Sequence, residues 1–256
     1  MPKYSQVFLH DKNVRSRIAA AAGQAPCELL VEIGPGKGAL TGLLFPGFGS
    51  RMLAVEIDPE LTAELKTAHP GLELLNRDFM ELDLPALTAG RKTVFVGNLP
   101  YDCSTAILEK TLACPALELA VFMFQREVAR RITAPAGAGD YGYLSIISQS
   151  QAEAELLLDV PAGCFTPVPE VDSSVLIFRP RRALPSPAAF TAFASFLKAA
   201  FAHRRKTLIN SLALSGKYSK AGVSSVLEKQ GHKLTCRPQE LTGAELLALL
   251  RELEKI

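Results

Sequence analysis

Apolar positions along this chain follow two rhythms, and turn-forming residues mark each change between them. Short apolar runs at 27–33, 51–57, 72–75, 93–96 and 117–124 have strand length, and most are rich in β-branched or aromatic residues, so they predict buried strands. Between them apolar residues recur with helical spacing over 13–22, from about Ala39 onward, over 59–69 and over 104–113. Strand and helix therefore alternate, the pattern of a doubly wound α/β sheet with parallel inner strands. Farther on, 125–132 and 143–151 predict helices, and 155–160 with 173–178 predict a strand pair. Residues 180–187 hold three prolines and two arginines, the composition of a linker. Everything beyond it reads as helix, over 190–201, 224–230 and 242–254, with a break at Ser215-Gly216.

Local signals set several boundaries. Asp58 before Pro59 predicts a capped helix start, and Ser104 is expected to cap the helix of 104–113. Thr242 with Glu245 three residues on is a capping box. Two domains are expected, an α/β domain over 1–180 and a small all-helical domain over 181–256.

Composition adds exclusions. With 256 residues, 48% hydrophobic and 21% charged, the chain is long and apolar enough to bury a full core, which excludes a disordered class. No run of about eighteen apolar residues occurs, and the residues after Met1 are polar rather than signal-like, so no membrane span and a cytoplasmic location are expected. The five cysteines are odd in number and scattered, with no Cys-x-x-Cys and no His-Glu-x-x-His, which argues against a disulfide framework and against a metal site. The net charge of +2 conceals a division. Residues 1–180 carry fifteen Lys+Arg against twenty-one Asp+Glu, a net −6, and 181–256 carry thirteen against five, a net +8. The basic tail suits a polyanion, although a solvated helix face explains any single lysine as well.

The candidate chemistry collects where predicted strands end. Gly34-Pro35-Gly36-Lys37-Gly38 follows the first core strand and opens a helix, so backbone can approach a ligand closely there. Its spacing is not that of a dinucleotide site. Glu56, some twenty residues on, is placed to accept from two ribose hydroxyls. Asp78 and Phe79 end the third strand, as an acceptor for an adenine amine and an apolar wall. Asn98-Leu99-Pro100-Tyr101 ends the fourth. The Asn98 oxygen and a carbonyl near Leu99 can accept both hydrogens of an aromatic amine and favour its nucleophilic form, with Tyr101 stacked on the ring. Asn before a Pro-containing segment is also ordinary turn chemistry. Phe165, at the front of a proline-stiffened loop, is either an exposed stacking wall for a base or a plug in the core below.

Taken in order, Glu-Ile-Gly-Pro-Gly-x-Gly, Val-Glu-Ile-Asp, Arg-Asp-Phe, Asn-Leu-Pro-Tyr-x-x-Ser-Thr, Phe-x-x-Gln-x-Glu-Val, Phe-x-Pro-x-Pro-x-Val-Asp-Ser and Phe-x-x-Arg-Arg-Lys-x-Leu span nearly the whole chain. This set resembles the small-subunit ribosomal RNA adenine dimethyltransferases, the KsgA family. The resemblance implies a Rossmann-like, seven-strand sheet and S-adenosylmethionine as cofactor. It also implies dimethylation of two adjacent adenosines near the 3′ end of small-subunit (16S) RNA, within the small ribosomal subunit, by a monomer. It places Gly34 and Gly36 at the methionine part of the cofactor, Glu56 at its ribose, and Asp78 and Phe79 at its adenine. Asn98 would serve both cofactor and target amine, with Leu99 and Pro100 shaping its turn and Tyr101 and Phe165 clamping the extruded base. Val7 and Leu9 would belong to a cofactor lid, and Arg204, Arg205 and Lys206 would hold RNA phosphates. Two departures stand out. Ser5-Gln6-Val7-Phe8-Leu9 replaces Gly-Gln-Asn-Phe-Leu, so position 7 has only its backbone for polar contact, and Asp102 follows Asn-Leu-Pro-Tyr where Asn is usual. An Erm-like methylase of large-subunit RNA and a non-catalytic subunit-assembly factor are the rival expectations.

Overall fold

The computed structural model describes residues 7–181, 186–203 and 205–255. These divide into two compact units, 1–129 with 152–180, and 130–151 with 181–256. In this division 130–151 groups with the basic tail rather than with the sheet. In that second unit the amide of Gln149 donates to the carbonyls of Ile132 and Ala134 at 2.9 Å, closing the segment on itself.

The first unit is built on β1 (Phe8–Leu9), α1 (Lys12–Ala22), β2 (Leu29–Ile33), α2 (Thr41–Phe48), β3 (Met52–Glu56), α3 (Pro59–Ala68) and β4 (Glu73–Asn76). It continues through α4 (Leu84–Thr88), β5 (Thr93–Asn98), α5 (Ser104–Leu112), β6 (Leu117–Gln125) and the start of α6 (Arg126–Thr133). After α7 (Tyr143–Gln151) of the other unit, it closes with β7 (Ala152–Val160), β8 (Phe165–Thr166) and β9 (Ser173–Pro180). Seven strands form one sheet in the order β4-β3-β2-β5-β6-β9-β7. The first five run parallel, while β9 is antiparallel to both β6 and β7.

Every residue of β2 and β3 is buried, which is why these segments are mostly apolar on both faces rather than alternating, with Glu32 and Glu56 as the buried polar positions near their carboxyl ends. One sheet face packs Val94 and Val96 of β5 and Leu119, Val121 and Met123 of β6 against Val14, Ile18, Ala21 and Ala22 of α1. The period of two on the strands and of three to four on the helix meet in that layer. Phe165 belongs to the same core, fully buried, because β8 pairs antiparallel with β1 and sets Phe165 opposite Leu9. Arg126 anchors the loop that follows, through an ion pair from Nη1 to Asp172 Oδ2 at 2.9 Å.

Two helix starts differ from the sequence expectation. Cys103, not Ser104, is the N-cap of α5; the Pro100–Cys103 turn leads into the helix one residue earlier, and the Ser104 hydroxyl donates back to the Tyr101 carbonyl at 3.3 Å. The helix expected at 224–230 is α10 (Lys220–Lys229) once α8 (Pro187–Phe201) and α9 (Leu208–Leu214) are counted, and it starts early because Ser219 caps it at the Gly222 N–H. The last helix, α11 (Gly243–Leu253), has the expected box: Thr242 accepts from the Glu245 N–H, and the Glu245 carboxylate accepts from the Thr242 N–H at 2.7 Å. The helical unit is held by Phe196, Leu197, Leu212, Leu227, Leu246 and Leu249, all fully buried.

Candidate active site

The chain reverses direction of growth across the sheet at β2: β3 and β4 are laid down on one side of it, β5 and β6 on the other. The carboxyl ends of β2 and β5 therefore diverge into a crevice, the place where open α/β sheets bind ligands. A cavity of about 340 Å³ opens there. Val7, Leu9, Gly34, Gly36, Glu56, Asp78, Phe79, Asn98, Leu99, Pro100 and Tyr101 all line it, so the strand ends singled out in the sequence meet at one place.

Two glycines make the crevice possible. A Cβ on Gly97 would lie 2.6 Å from the Ile33 carbonyl oxygen, so only glycine lets β5 run this close to the end of β2. Gly36 has φ +58° and lies under the Phe8 ring, where a Cβ would come within 3.2 Å of Cε1.

The Glu56 carboxylate is 4% exposed, and each of its oxygens takes one backbone N–H, Oε2 from Gly36 and Oε1 from Asp58, both at 3.0 Å. These bonds fix the carboxylate while leaving further lone pairs toward the cavity. Asp58 itself caps α3 by accepting from the Glu60 N–H, as its position before proline predicts. Asp78 accepts from the Met80 N–H at 2.8 Å through Oδ1 and lines the cavity beside Phe79. Lys110 ties this turn to α5 by donating to the Met80 carbonyl at 2.6 Å, above the Phe79 ring.

Asn98 is held differently. Its Nδ2 donates to the main-chain carbonyl of Val7 at 3.1 Å, and its Oδ1 is buried with no hydrogen-bond partner. Because a carbonyl can be met only by the amide's N–H side, this bond fixes which way round the side chain lies and turns the oxygen away from Val7. The departure at position 7 thus leaves a polar contact intact, since it is made by backbone. Tyr101 shares a hydrogen bond of 3.2 Å with the hydroxyl of Ser173, a fully buried residue.

Phe165 is not the exposed stacking wall. It is fully buried beneath β1 and is not among the residues lining the cavity, so of the two alternatives the plug is the one realised. Arg205 and Lys206 are exposed in the turn between α8 and α9, and Arg204 lies outside the described residues. Asp102 is exposed at the cavity.

Sequence reasoning passed over three groups. Glu32 lines the cavity from β2, is 1% exposed and accepts from the Thr41 hydroxyl at 2.7 Å. Burial pushes its carboxyl up to about 7 against the opposing bond from Thr41. Its place two residues before Gly34 was the available signal. Ile57 and Met80, 41% and 37% exposed, supply apolar walls next to Glu56 and Phe79. The Phe8 ring covers the glycine turn, with Lys37 Nζ 4.7 Å from its centroid. Cys103 also lines the cavity, but burial, with Asp78 and Asp102 nearby, raises its thiol pKa and keeps it a poor nucleophile.

The lining fits S-adenosylmethionine in kind. Four carboxyl groups, of Glu32, Glu56, Asp78 and Asp102, face two cationic side chains, of Lys37 and Arg77, which suits a ligand bearing a sulfonium and an ammonium. The unpartnered Asn98 oxygen awaits a donor. Among the described residues no group of three or more His, Cys, Asp or Glu could hold a metal, and no helix is long and apolar enough to cross a membrane.

Comparison with known proteins gives the same direction. Residues 1–236 match the family described as Ribosomal RNA adenine dimethylase. A Ribosomal RNA small subunit methyltransferase A from Phenylobacterium zucineum is 42% identical over 83% of this chain and 76% of its own length. Another protein of that name, from Acidobacterium capsulatum, is 39% identical over 99% of this chain and 91% of its own. Among solved structures, a dimethyladenosine transferase from Plasmodium falciparum superposes with a TM-score of 0.80 at 24% identity, covering 97% of this chain and 98% of that one. The 23S rRNA methyltransferase ErmE superposes at 0.66 with 30% identity, covering 96% and 99%.

Proposed function

Since this chain belongs to the ribosomal RNA adenine dimethylase family and is an S-adenosylmethionine-dependent methyltransferase of ribosomal RNA, we propose that it dimethylates the N6 amines of two adjacent adenosines near the 3′ end of small-subunit RNA. The observation that carries this reading is the Asn98 oxygen, buried, unpartnered and oriented at the switch point of the sheet. An aromatic amine is a weak nucleophile because its lone pair is shared with the ring. An acceptor fixed in place, together with a carbonyl of the Asn98-Leu99-Pro100 turn, favours the pyramidal amine as the methyl approaches.

The cofactor supplies an electrophilic methyl group. The protein's part is to hold it and the base in line: Glu56 for the ribose, Asp78 with Ile57, Phe79 and Met80 for the adenine, Gly34, Gly36 and Leu9 along the methionine. Such positioning is worth roughly 7–11 kcal/mol when the reacting atoms are held near 3 Å. No strong base is needed, because the proton leaves after nitrogen has become cationic. Tyr101 would stack on the extruded adenine, whose unstacking costs about a few kcal/mol, while Phe165 supports the site from the core. Arg205 and Lys206, and Arg204 beside them in the sequence, would contact RNA phosphates, with the helical unit serving the ribosomal RNA of the small subunit. The enzyme is proposed to act as a monomer in the cytoplasm.

The test is methyl transfer from labelled S-adenosylmethionine to purified small and large subunits lacking these modifications, with nucleoside mass spectrometry of the digested RNA. Dimethyladenosine confined to the small subunit is expected. Label on the large subunit alone would assign the chain to the ErmE-like activity, and binding without label would make it an assembly factor.

A further inference from the structure

The short segment Val7–Leu9 touches two separate parts of the cavity and the core beneath it. Val7 gives its carbonyl to Asn98. Phe8 lays its ring on Gly36, near enough that a methyl group there would crowd it, and takes the Lys37 ammonium over its face. Leu9 is 4% exposed and sits opposite Phe165 in the β1–β8 pair. The His10 N–H continues that pairing to the Cys164 carbonyl at 3.0 Å, and Asp11 caps α1 at the Val14 N–H. The segment is therefore fixed from Phe8 onward by sheet pairing and capping, whereas the carbonyl that meets Asn98 lies one residue outside that anchored stretch. Phe8 is the paired residue next to that carbonyl, and the seat of its ring is the glycine turn itself.

We infer that Phe8 is a positioning residue for the reaction: seated on the Gly36 turn and under Lys37, it holds the Val7 carbonyl where it orients the Asn98 amide toward the target amine. This rests on the assignment of Asn98 as the acceptor for that amine. The inference also explains how valine can stand at position 7. Only a main-chain oxygen is used there, and what must be kept is the ring next to it. It further links the two halves of the site, because the turn on which Phe8 rests is the one whose Gly36 N–H holds Glu56.

Phe8→Ala, Phe8→Tyr, Asn98→Ala and the Phe8→Ala/Asn98→Ala pair test it, with single-turnover methyl transfer to unmethylated small subunits and cofactor affinity by calorimetry. Phe8→Ala should lower the methyl-transfer rate roughly 10- to 100-fold, the scale set by misplacing a reacting group by about an ångström, with a smaller change in cofactor affinity. Phe8→Tyr keeps the ring and should restore the rate. In the Asn98→Ala background Phe8→Ala should add less than about twofold, because it acts through a side chain already gone. A readout independent of turnover is the Asn98 side-chain NH2 resonance in the cofactor-free protein, which should shift and lose exchange protection in Phe8→Ala. The inference is overturned if Phe8→Ala weakens cofactor binding as much as it slows transfer, if its effect multiplies fully with that of Asn98→Ala, or if the Asn98 resonance is unmoved. If Asn98→Ala itself leaves transfer unchanged, the failure lies in the assignment of Asn98 rather than in the role of Phe8.

Discussion

The two ends of the cavity are built by different means. At the cofactor end the polar groups sit on strand ends and are fixed by their immediate neighbours: Glu56 by the backbone of Gly36 and Asp58, Asp78 by the N–H of Met80, Glu32 by Thr41. At the target end the decisive groups are held from far along the chain, Asn98 by Val7 ninety-one residues earlier and Tyr101 by Ser173 seventy-two residues later. The first arrangement is preorganised by the strand ends together with the turns and helix start that follow them. The second depends on the strap at Val7, continued by the β1–β8 pair of Leu9 with Phe165, and on Ser173, the first residue of β9. A cofactor is bound the same way at every turnover, so a site fixed by near neighbours suits it, whereas under the proposed function the extruded base would be met by groups that distant parts of the chain hold in place.

The largest effect should come from removing the support they share. Phe165→Ala empties a fully buried site and should lower stability by about 3–5 kcal/mol, measured by urea unfolding. A variant with wild-type stability and only reduced turnover would return Phe165 to the role of a stacking wall and break the comparison.

Glu32 sharpens the cofactor end. Its folded-state pKa of about 7 lies above the unfolded value of 4.5, so its contribution to stability is intact below pH 4.5 and is lost as pH rises through 7. Glu32→Gln cannot ionise and keeps an acceptor for Thr41. It should match the wild type near pH 4.5 and exceed it by on the order of 3 kcal/mol at pH 8.5. Equal pH slopes for the two proteins in urea unfolding would show that Glu32 does not titrate in this window.

Glu56→Gln turns one accepting oxygen into an NH2 that faces a backbone N–H, at a cost of roughly 1–3 kcal/mol. Calorimetry should show S-adenosylmethionine bound about 10- to 100-fold more weakly, with transfer at saturating cofactor much less affected. A fall in the saturated rate without loss of affinity would mean that the two ends are not separable. The smallest effect is expected outside both ends. Arg205→Ala and Lys206→Ala should each lower the salt dependence of subunit binding by about one contact, and leave cofactor affinity unchanged.

Much of the cofactor end was legible because its signals are local. Glycines after a buried run, an acid one strand later and Asp58 before Pro59 are consequences of strand, turn and cap chemistry within about twenty residues. Asn98 and Tyr101 could be named from their turn, but what holds them could not, since Val7 and Ser173 are distant in sequence and act through a backbone oxygen and a buried hydroxyl. Phe165 shows the same limit. A phenylalanine before prolines has no local mark that separates a surface wall from a core plug, and the pairing of β8 with β1 decided it. Residues 130–151 were placed with the sheet because they lie between its strands in sequence, whereas their contacts are with the tail.

The most direct test of the target end is Asn98→Ala, followed by single-turnover methyl transfer to unmethylated small subunits alongside cofactor affinity and thermal melting. Loss of a preorganised polar contact to the reacting group should slow transfer by about 10²- to 10³-fold, with the melting temperature held and cofactor affinity changed far less. A transfer rate within a few-fold of wild type, or a loss of affinity as large as the loss of rate, would contradict the assignment of the Asn98 oxygen to the target amine.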